Sequence, residues 1–293
     1  MKKIVSLLTL LLSLHCSQAQ DLSAYKKQLF IRGSDILRYR ILYPENYKKG
    51  TPYPLIVFLH GAGERGDDNE HQLDNGGTLF LRDSLRRRFP AIVIFPQCPK
   101  DSFWNTFDAR YFSAIVSANY TVASNLTLNT LGLSTPERLV KGLIDSLADN
   151  KIADKKRIYL GGLSLGGYGT YDLVIHYPGY FAAAFPICGQ ANVKLYTERA
   201  ANVPVWIFHG AIDNIIDPQP DRNLIKALQH VGAKNAKYTE YPNVAHGSWV
   251  NAFAEPGLFP WLFSCKKKSP PIPPPPEKTR DKTAWHPGSI HNK

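Results

Sequence analysis

The sequence predicts an α/β fold, a mostly parallel twisted sheet with helices on both of its faces. Three apolar runs without polar alternation, at 54–59, 91–95 and 203–208, are typical of strands buried on both sides. Helical segments separate these runs, and alternation of buried strands with helices is typical of parallel sheets. Glycine-containing loops directly follow the runs at 54–59 and 203–208, at the strand ends where sheets of this kind place their functional sites.

Local patterns predict the individual elements. Residues 36–43 alternate between apolar and polar side chains, which indicates an antiparallel strand with one solvated face. Ser134, Pro136 and Glu137 supply a cap, a first-turn proline and a capping-box acid for one helix. The predicted strands span 36–43, 54–59, 91–95, 157–160, 181–187, 203–208 and 237–241. The predicted helices span 79–89, 134–150, 168–177, 191–200, 218–231 and 248–263, the last one broken near Pro256.

Three segments of different composition divide the chain. Residues 1–19 have a basic start, a short apolar stretch and small residues before a cut after Ala19, which predicts a secretory signal peptide. Cys16 raises the alternative of a lipid anchor, which is not expected because His15 stands where a small residue is required. Residues 20–264 are long enough for one α/β enzyme domain, and the Pro- and Lys-rich residues 265–293 predict a solvated tail. The mature protein is therefore expected to be secreted or periplasmic.

Charge and cysteine usage exclude several classes of protein. The formal net charge of +11 falls to about +4 without the leader and the tail, so the domain is not expected to bind nucleic acid. Beyond the leader no stretch is apolar for long enough to span a bilayer, so stable membrane insertion is not expected. Cys98, Cys188 and Cys265 are too widely spaced for a metal cluster, and whether Cys98 pairs with Cys188 stays open. The oligomeric state stays open as well.

A glycine-rich stretch at 160–169 contains the predicted nucleophile. Gly162, Ser164 and Gly166 form a G-x-S-x-G between a predicted strand and a predicted helix, which is the context of a nucleophile elbow. Glycine suits positions where strand and helix pass too closely for a Cβ. Ser164 is therefore the predicted nucleophile, and the alternative is a glycine-rich turn that holds a serine by chance.

Two further residues complete the chemistry of a nucleophilic serine, which needs a base beside its hydroxyl and an acid that orients the base. Asp213 follows one predicted strand and His246 follows the next, so acid and base come after the serine in the required order. Asp217 is the rival acid, but it precedes Pro218 and is better explained as a helix cap. The other histidines have structural explanations: His71 in a polar loop, His176 and His230 late on helices, and His209 as the anchor of the turn before Asp213.

Backbone N–H groups are predicted to hold the oxyanion of this reaction. Leu165 directly follows the serine, and Ala62 lies in the glycine loop after the strand at 54–59, with Gly63 as the alternative to Ala62. His60 begins this loop and is assigned to the substrate-binding region, where it braces the loop and does not react.

Residues 100–133 form an irregular stretch that is rich in aromatic side chains. A loop of this length is usually functional or mobile. We expect an aromatic wall of the substrate site here, with Trp104 as its main residue because Pro96 and Pro99 stiffen the approach from the strand end. The alternative is an aromatic cluster that packs this insertion onto the edge of the sheet. The other aromatic residues considered are Phe103, Phe107, Tyr111, Phe112 and Tyr120.

Five motifs in order resemble secreted bacterial esterases of the α/β-hydrolase superfamily, the group known as phospholipase/carboxylesterase, "predicted peptidase" or polyhydroxybutyrate depolymerase-like. Feruloyl and acetyl-xylan esterases are neighbours of this group. The motifs are F-L-H-G-A-G-E-R-G at 58–66, P-Q-C-P with a tryptophan at 96–104, G-L-S-L-G-G at 162–167, H-G-x-x-D at 209–213 and A-H-G-S-W at 245–249. The resemblance spans about 55–249, and it implies the roles given above for Ser164, Asp213, His246 and Ala62. Residues 100–133 depart from the family pattern, so the resemblance implies no particular substrate.

Composition and the resemblance together predict an α/β-hydrolase catalytic domain at 20–264 that cleaves carboxylic esters through an acyl-enzyme. The expected substrates are small-molecule or polysaccharide-linked esters. No metal or organic cofactor is expected, since no residue cluster has ligand spacing. A peptidase of the prolyl-oligopeptidase type is one alternative, but such enzymes usually carry a propeller domain for which the chain has no length. A binding module on a retired hydrolase fold is the other, and the intact Ser, Asp and His argue against it.

Overall fold

The computed structural model describes residues 21–106 and 132–267. The predicted signal peptide, residues 107–131 with Phe107, Tyr111, Phe112 and Tyr120, and residues 268–293 of the predicted tail lie outside the described residues. Within the described residues, eight strands form one sheet. The strands are β1 (Lys26–Arg32), β2 (Asp35–Leu42), β3 (Tyr53–Leu59), β4 (Ile92–Gln97), β5 (Ala153–Leu163), β6 (Ala183–Ile187), β7 (Val205–Gly210) and β8 (Ala236–Tyr241).

The order of the strands across the sheet is β1-β2-β4-β3-β5-β6-β7-β8. β2 pairs antiparallel with both β1 and β4, and every pair from β4 to β8 is parallel. The carboxyl ends of β3, β5, β7 and β8 therefore lie along one edge, where Leu59 pairs with Gly162 and Gly210 with Tyr241. This edge carries the loops that hold the predicted site.

Helices cover both faces of the sheet. Seven α-helices lie in the described residues: α1 (Asp83–Arg88), α2 (Thr135–Asp149), α3 (Leu165–His176), α4 (Val193–Ala200), α5 (Gln219–His230), α6 (Trp249–Ala254) and α7 (Leu258–Ser264). The apolar side chains of α2, α3, α4 and α5 pack into one core cluster against one face. Those of α6 and α7, with partly buried residues of α1, pack into a second cluster against the other face. The predicted mostly parallel sheet with helices on both faces is confirmed.

Two local features differ from the pattern expected from the sequence. β1 was not among the predicted strands, because six of its seven residues are exposed and no apolar alternation marks it. The helix expected over 79–89 is divided at Arg82, which has an extended backbone between a short 3₁₀ turn at Leu79–Leu81 and α1. Both features lie away from the edge that carries the predicted site.

The predicted capping box at the start of α2 is present. Ser134 N–H donates to the Glu137 carboxylate at 2.8 Å, and Glu137 N–H donates to Ser134 Oγ at 3.3 Å. The Glu137 side chain is completely buried, and its Oε1 has no hydrogen-bond partner among the described residues. Burial, together with the neighbouring Asp172 on α3, raises the pKa of Glu137 well above its ordinary value. The folded protein therefore favours the protonated acid at this position.

Replacing Glu137 with glutamine is expected to raise the melting temperature at alkaline pH and to leave it nearly unchanged near pH 4. A folded-state pKa above the unfolded value contributes stability that is present at low pH and is lost as pH rises through the folded pKa. Glutamine keeps the capping box and cannot ionise. Circular dichroism melts from pH 4 to 9 measure the difference, and the exposed Glu198→Gln on α4 is the control. A difference that does not vary with pH would contradict this expectation.

The first residues of the predicted tail contact the core. The Tyr159 hydroxyl donates to the Cys265 carbonyl at 3.0 Å, and Lys267 N–H donates to the Lys156 carbonyl at 3.0 Å. Hydrogen bonds to the domain thus continue to Lys267, three residues beyond the boundary after residue 264 that composition indicated. In the described part of the chain Cys98, Cys188 and Cys265 are free thiols. None of the helices described is both long enough and apolar enough to span a bilayer.

Candidate active site

Ser164 lies on a sharp turn between β5 and α3. Its backbone has φ 53° and ψ −117°, a strained combination for a residue with a side chain. A Cβ on Gly162 would lie 2.3 Å from the Gly166 carbonyl oxygen, and a Cβ on Gly166 would lie 2.0 Å from the Leu59 carbonyl oxygen. Both glycines are therefore required by close backbone approach, which is the geometry of a nucleophile elbow.

A continuous hydrogen-bonded chain links three of the predicted site residues. Ser164 Oγ lies 3.0 Å from His246 Nε2, and His246 Nδ1 lies 2.8 Å from Asp213 Oδ2. Because a carboxylate only accepts, the proton of a neutral His246 is on Nδ1, and Nε2 accepts from the serine hydroxyl. β5, β7 and β8 end at the same edge of the sheet, with β6 between β5 and β7, and the loops after them bring the serine, the acid and the histidine together.

The Asp213 carboxylate is completely buried and all of its contacts are with donors. Oδ1 accepts from the N–H groups of Ile215 and Ile216, each at 2.9 Å. Oδ2 faces His246 and also His209 Nε2, the latter at 3.3 Å. Although burial favours the neutral acid, the hydrogen bonds from His209 and His246 hold the pKa of Asp213 below its ordinary value. Asp213 is therefore an ionised carboxylate aimed at His246.

The rival acid, Asp217, is exposed and accepts from the N–H of Gln219 at 2.8 Å. It serves the start of α5, as expected of a cap-like residue. His209 is completely buried at the end of β7 and anchors the following turn, since its Nε2 lies 3.1 Å from the Ile216 carbonyl oxygen. His71, His176 and His230 are not part of the hydrogen-bonded chain of Ser164, His246 and Asp213.

The residues predicted to hold the oxyanion lie on either side of Ser164. Leu165 is the first residue of α3, and Ala62 is the first residue of a 3₁₀ turn at Ala62–Glu64. The first N–H groups of a helical turn have no partner within it, so both amides are available to a ligand. Ala62, Gly63 and Leu165 all line the cleft that contains Ser164.

His60 holds the loop that carries Ala62 in place. Its Nε2 accepts from Cys98 N–H at 3.0 Å, and its Nδ1 donates to the Gly61 carbonyl at 2.6 Å. Burial lowers the pKa of His60 to about 4, so the ring is neutral at physiological pH. The side chain is completely buried and does not line the cleft. The structure thus gives His60 the bracing position, without the substrate contact that its assignment to the substrate-binding region implied.

The cleft above Ser164 has a volume of about 300 Å³ and mostly apolar walls. Trp249 stands against His246, with ring centroids 5.6 Å apart and ring planes nearly perpendicular. Phe103, one of the aromatic residues considered for the substrate wall, lines the cleft. The lining side chains that sequence analysis did not assign to the site are Glu64, Asn75, Leu163, Tyr168, Ile215, Ile216 and Trp249. Several of them follow a predicted site residue closely, for example Trp249 three residues after His246 and Tyr168 one helical turn after Ser164. Such proximity in sequence was the signal that could have identified them.

Trp104 does not line this cleft, which corrects the expectation of a substrate wall at this residue. Its side chain is completely buried, and its indole N–H donates to the His60 carbonyl at 3.0 Å. A Cβ on Gly169 of α3 would lie 2.5 Å from Trp104 Cβ, so the tryptophan packs directly onto the helix. Phe103, one residue earlier, lines the cleft and lies under the Arg65 guanidinium, 4.5 Å from its ring centroid. Trp104 is therefore part of the core.

One group of potential metal ligands exists among the described residues. Atoms of Cys188, Asp213 and His246 lie within 4.8 Å of one another. Burial raises the pKa of the Cys188 thiol, and the carboxylate and imidazole are bonded to each other, so the group suits a hydrogen-bonded pair better than a metal centre.

Comparison with known proteins agrees with this architecture. The phospholipase/carboxylesterase family matches residues 46–255. A solved structure of a thermostable esterase superposes with a TM-score of 0.71 at 32% identity, over 84% of this chain and 64% of that one. The acyl-protein thioesterase 1 homolog 2 of Dictyostelium discoideum is 26% identical over 68% of this chain and 88% of its own length.

A bifunctional acetylxylan esterase/xylanase of Neocallimastix patriciarum is 30% identical over 107 residues. The match covers 36% of this chain and 16% of that enzyme, so this chain spans a small part of the bifunctional protein. The extent of the family match, the fold and the position of the elbow together identify the relationship. The chain belongs to the phospholipase/carboxylesterase family of α/β-hydrolases.

Proposed function

We propose that the protein is a secreted serine carboxylesterase in which Ser164, His246 and Asp213 form the catalytic triad. The observation that carries the proposal is the unbroken hydrogen-bonded chain from Ser164 Oγ through His246 to the buried Asp213 carboxylate, at the bottom of an apolar cleft. Family membership supports ester hydrolysis as the reaction class.

In the acylation step, Ser164 Oγ attacks the ester carbonyl carbon while His246 Nε2 takes the hydroxyl proton. The carbonyl oxygen becomes an oxyanion and accepts from the N–H groups of Leu165 and Ala62. When the tetrahedral intermediate collapses, the carbon–oxygen bond to the alcohol breaks and His246 returns the proton to the leaving alcohol. Water then attacks the acyl-enzyme by the same route, with His246 as base, and the acid is released with Ser164 restored.

Asp213 holds His246 in the tautomer that this cycle requires. Its Oδ2 accepts from Nδ1, so the lone pair of Nε2 faces the serine, and its charge stabilises the imidazolium that forms during each step. Two backbone N–H groups fix the other carboxylate oxygen, which prevents the side chain from rotating away. The cycle uses no metal or organic cofactor.

Substrates are expected to be carboxylic esters with an apolar acyl or alcohol group, either small molecules or esters linked to polysaccharide. The apolar cleft walls, among them Phe103, Ile215 and Trp249, support this class. Among the relatives, one is named an acetylxylan esterase/xylanase, which supports testing polysaccharide-linked esters as well. The basic and apolar leader at 1–19 supports export of the mature enzyme from the cytoplasm.

Hydrolysis of p-nitrophenyl butyrate, with labelling by a fluorophosphonate probe, tests the proposal. The enzyme should turn over the ester, and the probe should attach at Ser164 with a stoichiometry near one. The matching p-nitroanilide is the control for a peptidase, since an amide bond needs protonation of a far poorer leaving group. Absence of both turnover and labelling would favour a binding module, and faster cleavage of the anilide would favour a peptidase.

The assignment of the acid can be tested separately. Asp213→Asn is expected to lower kcat by about 10⁴-fold, because the amide would favour the wrong tautomer of His246. Asp217→Asn changes an exposed side chain at the start of α5 and is expected to leave kcat within about twofold. Steady-state kinetics of both variants with p-nitrophenyl butyrate give the comparison. If Asp217→Asn were the damaging change and Asp213→Asn the harmless one, the assignment would be reversed.

A further inference from the structure

A buried chain of polar contacts, called the circuit below, runs from Asp213 through His209 and Asp221 to Tyr171 on α3. α3 is the helix that begins directly after Ser164. His209 Nδ1 lies 2.8 Å from Asp221 Oδ2 on α5, and the Tyr171 hydroxyl on α3 donates to Asp221 Oδ1 at 2.7 Å. His209 Nε2 faces both the Ile216 carbonyl oxygen and the Asp213 carboxylate. Tyr171 is two helical turns after Ser164, so the circuit connects the predicted acid to the nucleophile helix through buried groups.

The contacts of His209 define its protonation state. Nδ1 faces a carboxylate, and Nε2 faces a carbonyl and a second carboxylate, none of which can donate a proton when ionised. A neutral imidazole has one nitrogen that needs a donor, and here it would face an acceptor. A neutral ring would need a proton on Asp221, whose pKa is raised by burial. With both carboxylates ionised, the geometry places N–H on both nitrogens and makes the ring an imidazolium. In agreement with this, burial is outweighed by the two carboxylates, which raise the pKa of His209 to about 10.

We propose that His209 is a positioning residue of the active site, an imidazolium that holds Asp213 ionised and partly neutralises the charge that Asp213 presents to His246. The proposal rests on the triad proposed above. Asp213 lies between two histidines, and only His246 reaches the serine. Without the positive charge of His209, the negative charge of Asp213 would face His246 uncompensated.

The charged and titratable groups around His209 come from several elements. Asp213 is on the loop after β7, Asp221 on α5, Tyr171 on α3 and His246 on the loop after β8. Glu240 on β8 is paired with Arg222 of α5, so its charge is balanced locally. The groups in direct contact with the His209 ring nitrogens are thus two carboxylates and one backbone carbonyl, and the ring is their shared counter-charge.

Nitrogen NMR of the intact enzyme with ¹⁵N-labelled histidine tests the charge directly. At pH 8 the His209 ring should show two protonated nitrogens, assigned by the loss of this signal in His209→Gln. The charge is measured in the unmodified protein, and the variant serves only to assign the signal. A His209 ring with one unprotonated nitrogen at pH 8 would overturn the proposal.

The pH profile of kcat/KM tests the functional consequence. In His209→Gln the acid limb should move to higher pH by about one unit, because a positive charge beside Asp213 is lost. The acid limb should still move to higher pH if Asp221 takes up a proton in the variant, because His209 lies between Asp221 and Asp213. Tyr171→Phe is the matched control, because it opens the same circuit without removing a charge, and its acid limb should not move.

Two outcomes separate this proposal from the proposed function. If the wild-type enzyme hydrolyses p-nitrophenyl butyrate and His209→Gln leaves the acid limb in place, His209 is a packing residue and the present proposal fails alone. If the wild-type enzyme hydrolyses no ester and is not labelled at Ser164, the proposed function fails, while the NMR measurement still reports the charge of His209. A shift of the same size in Tyr171→Phe would show that loss of a hydrogen bond in the circuit is enough to move the acid limb. That result would also overturn the proposal.

Discussion

Replacing Ser164 with alanine is expected to lower kcat for ester hydrolysis roughly 10⁶-fold while leaving the melting temperature nearly unchanged. The hydroxyl supplies the attacking atom, and among the described residues no other hydroxyl is hydrogen-bonded to His246 Nε2. Its removal leaves the hydrogen bonds of the elbow backbone intact, including Ser164 N–H to the Ile187 carbonyl. Burst and steady-state kinetics with p-nitrophenyl butyrate, together with a thermal melt, measure both effects.

A double variant makes this test more specific. Ser164→Ala combined with His246→Ala should be about as slow as Ser164→Ala alone, because the residues of a triad act as one unit and their effects are not additive. Ser102→Ala, close to the cleft residue Phe103, is the matched serine control and should retain normal turnover. Additive losses in the double variant would show that Ser164 and His246 act in separate steps.

Gly166→Ala is expected to cause the largest loss of stability of any single methyl addition near the site. The new Cβ would lie 2.0 Å from the Leu59 carbonyl oxygen and 2.7 Å from the His60 carbonyl oxygen, and backbone atoms cannot move aside as a flexible side chain can. Separating α3 from β3 would disturb the central strands of the sheet. We expect a destabilisation above about 3 kcal/mol, which corresponds to a melting temperature lower by roughly 10 °C.

Gly179→Ala provides the matched control for this change. Gly179 lies in an exposed turn after α3, and a Cβ there would have no atom within 4 Å. Its melting temperature should stay within about 2 °C of the wild type. A Gly166→Ala protein that melts with the wild type would show that α3 can shift away from β3 without cost.

The predictable part of the site follows from strand order in a parallel sheet. Ser164, Asp213 and His246 each follow a strand, and parallel strands bring their carboxyl ends to one edge, so three distant sequence positions converge. The motif glycines carried the same information, because Gly162 and Gly166 have no room for a side chain. Local sequence was therefore sufficient to select the residues that the structure brings together.

Other features depended on contacts that sequence patterns do not contain. Sequence patterns do not show which of the neighbours Phe103 and Trp104 faces α3 and which faces the cleft. Trp104 packs against α3 because Gly169 has no side chain there, and Phe103 lines the cleft. The sequence did mark His209 as an anchor, but its partners Asp221 and Tyr171 come from two different helices. β1 forms because β2 offers it hydrogen bonds, although its own residues show almost no burial pattern.

A hydrogen bond of 2.8 Å from Thr106 Oγ1 to the Gly132 carbonyl joins the two described residues that flank 107–131. The described residues on either side of 107–131 therefore meet at one point of the domain. Doubling the number of residues between two joined ends of a chain costs only about 0.6 kcal/mol of closure entropy. The buried Trp104 holds the chain before Thr106 in place, and the capped start of α2 holds the chain after Gly132. We therefore expect a variant with a longer segment between Thr106 and Gly132 to keep the sheet and the position of Ser164 unchanged.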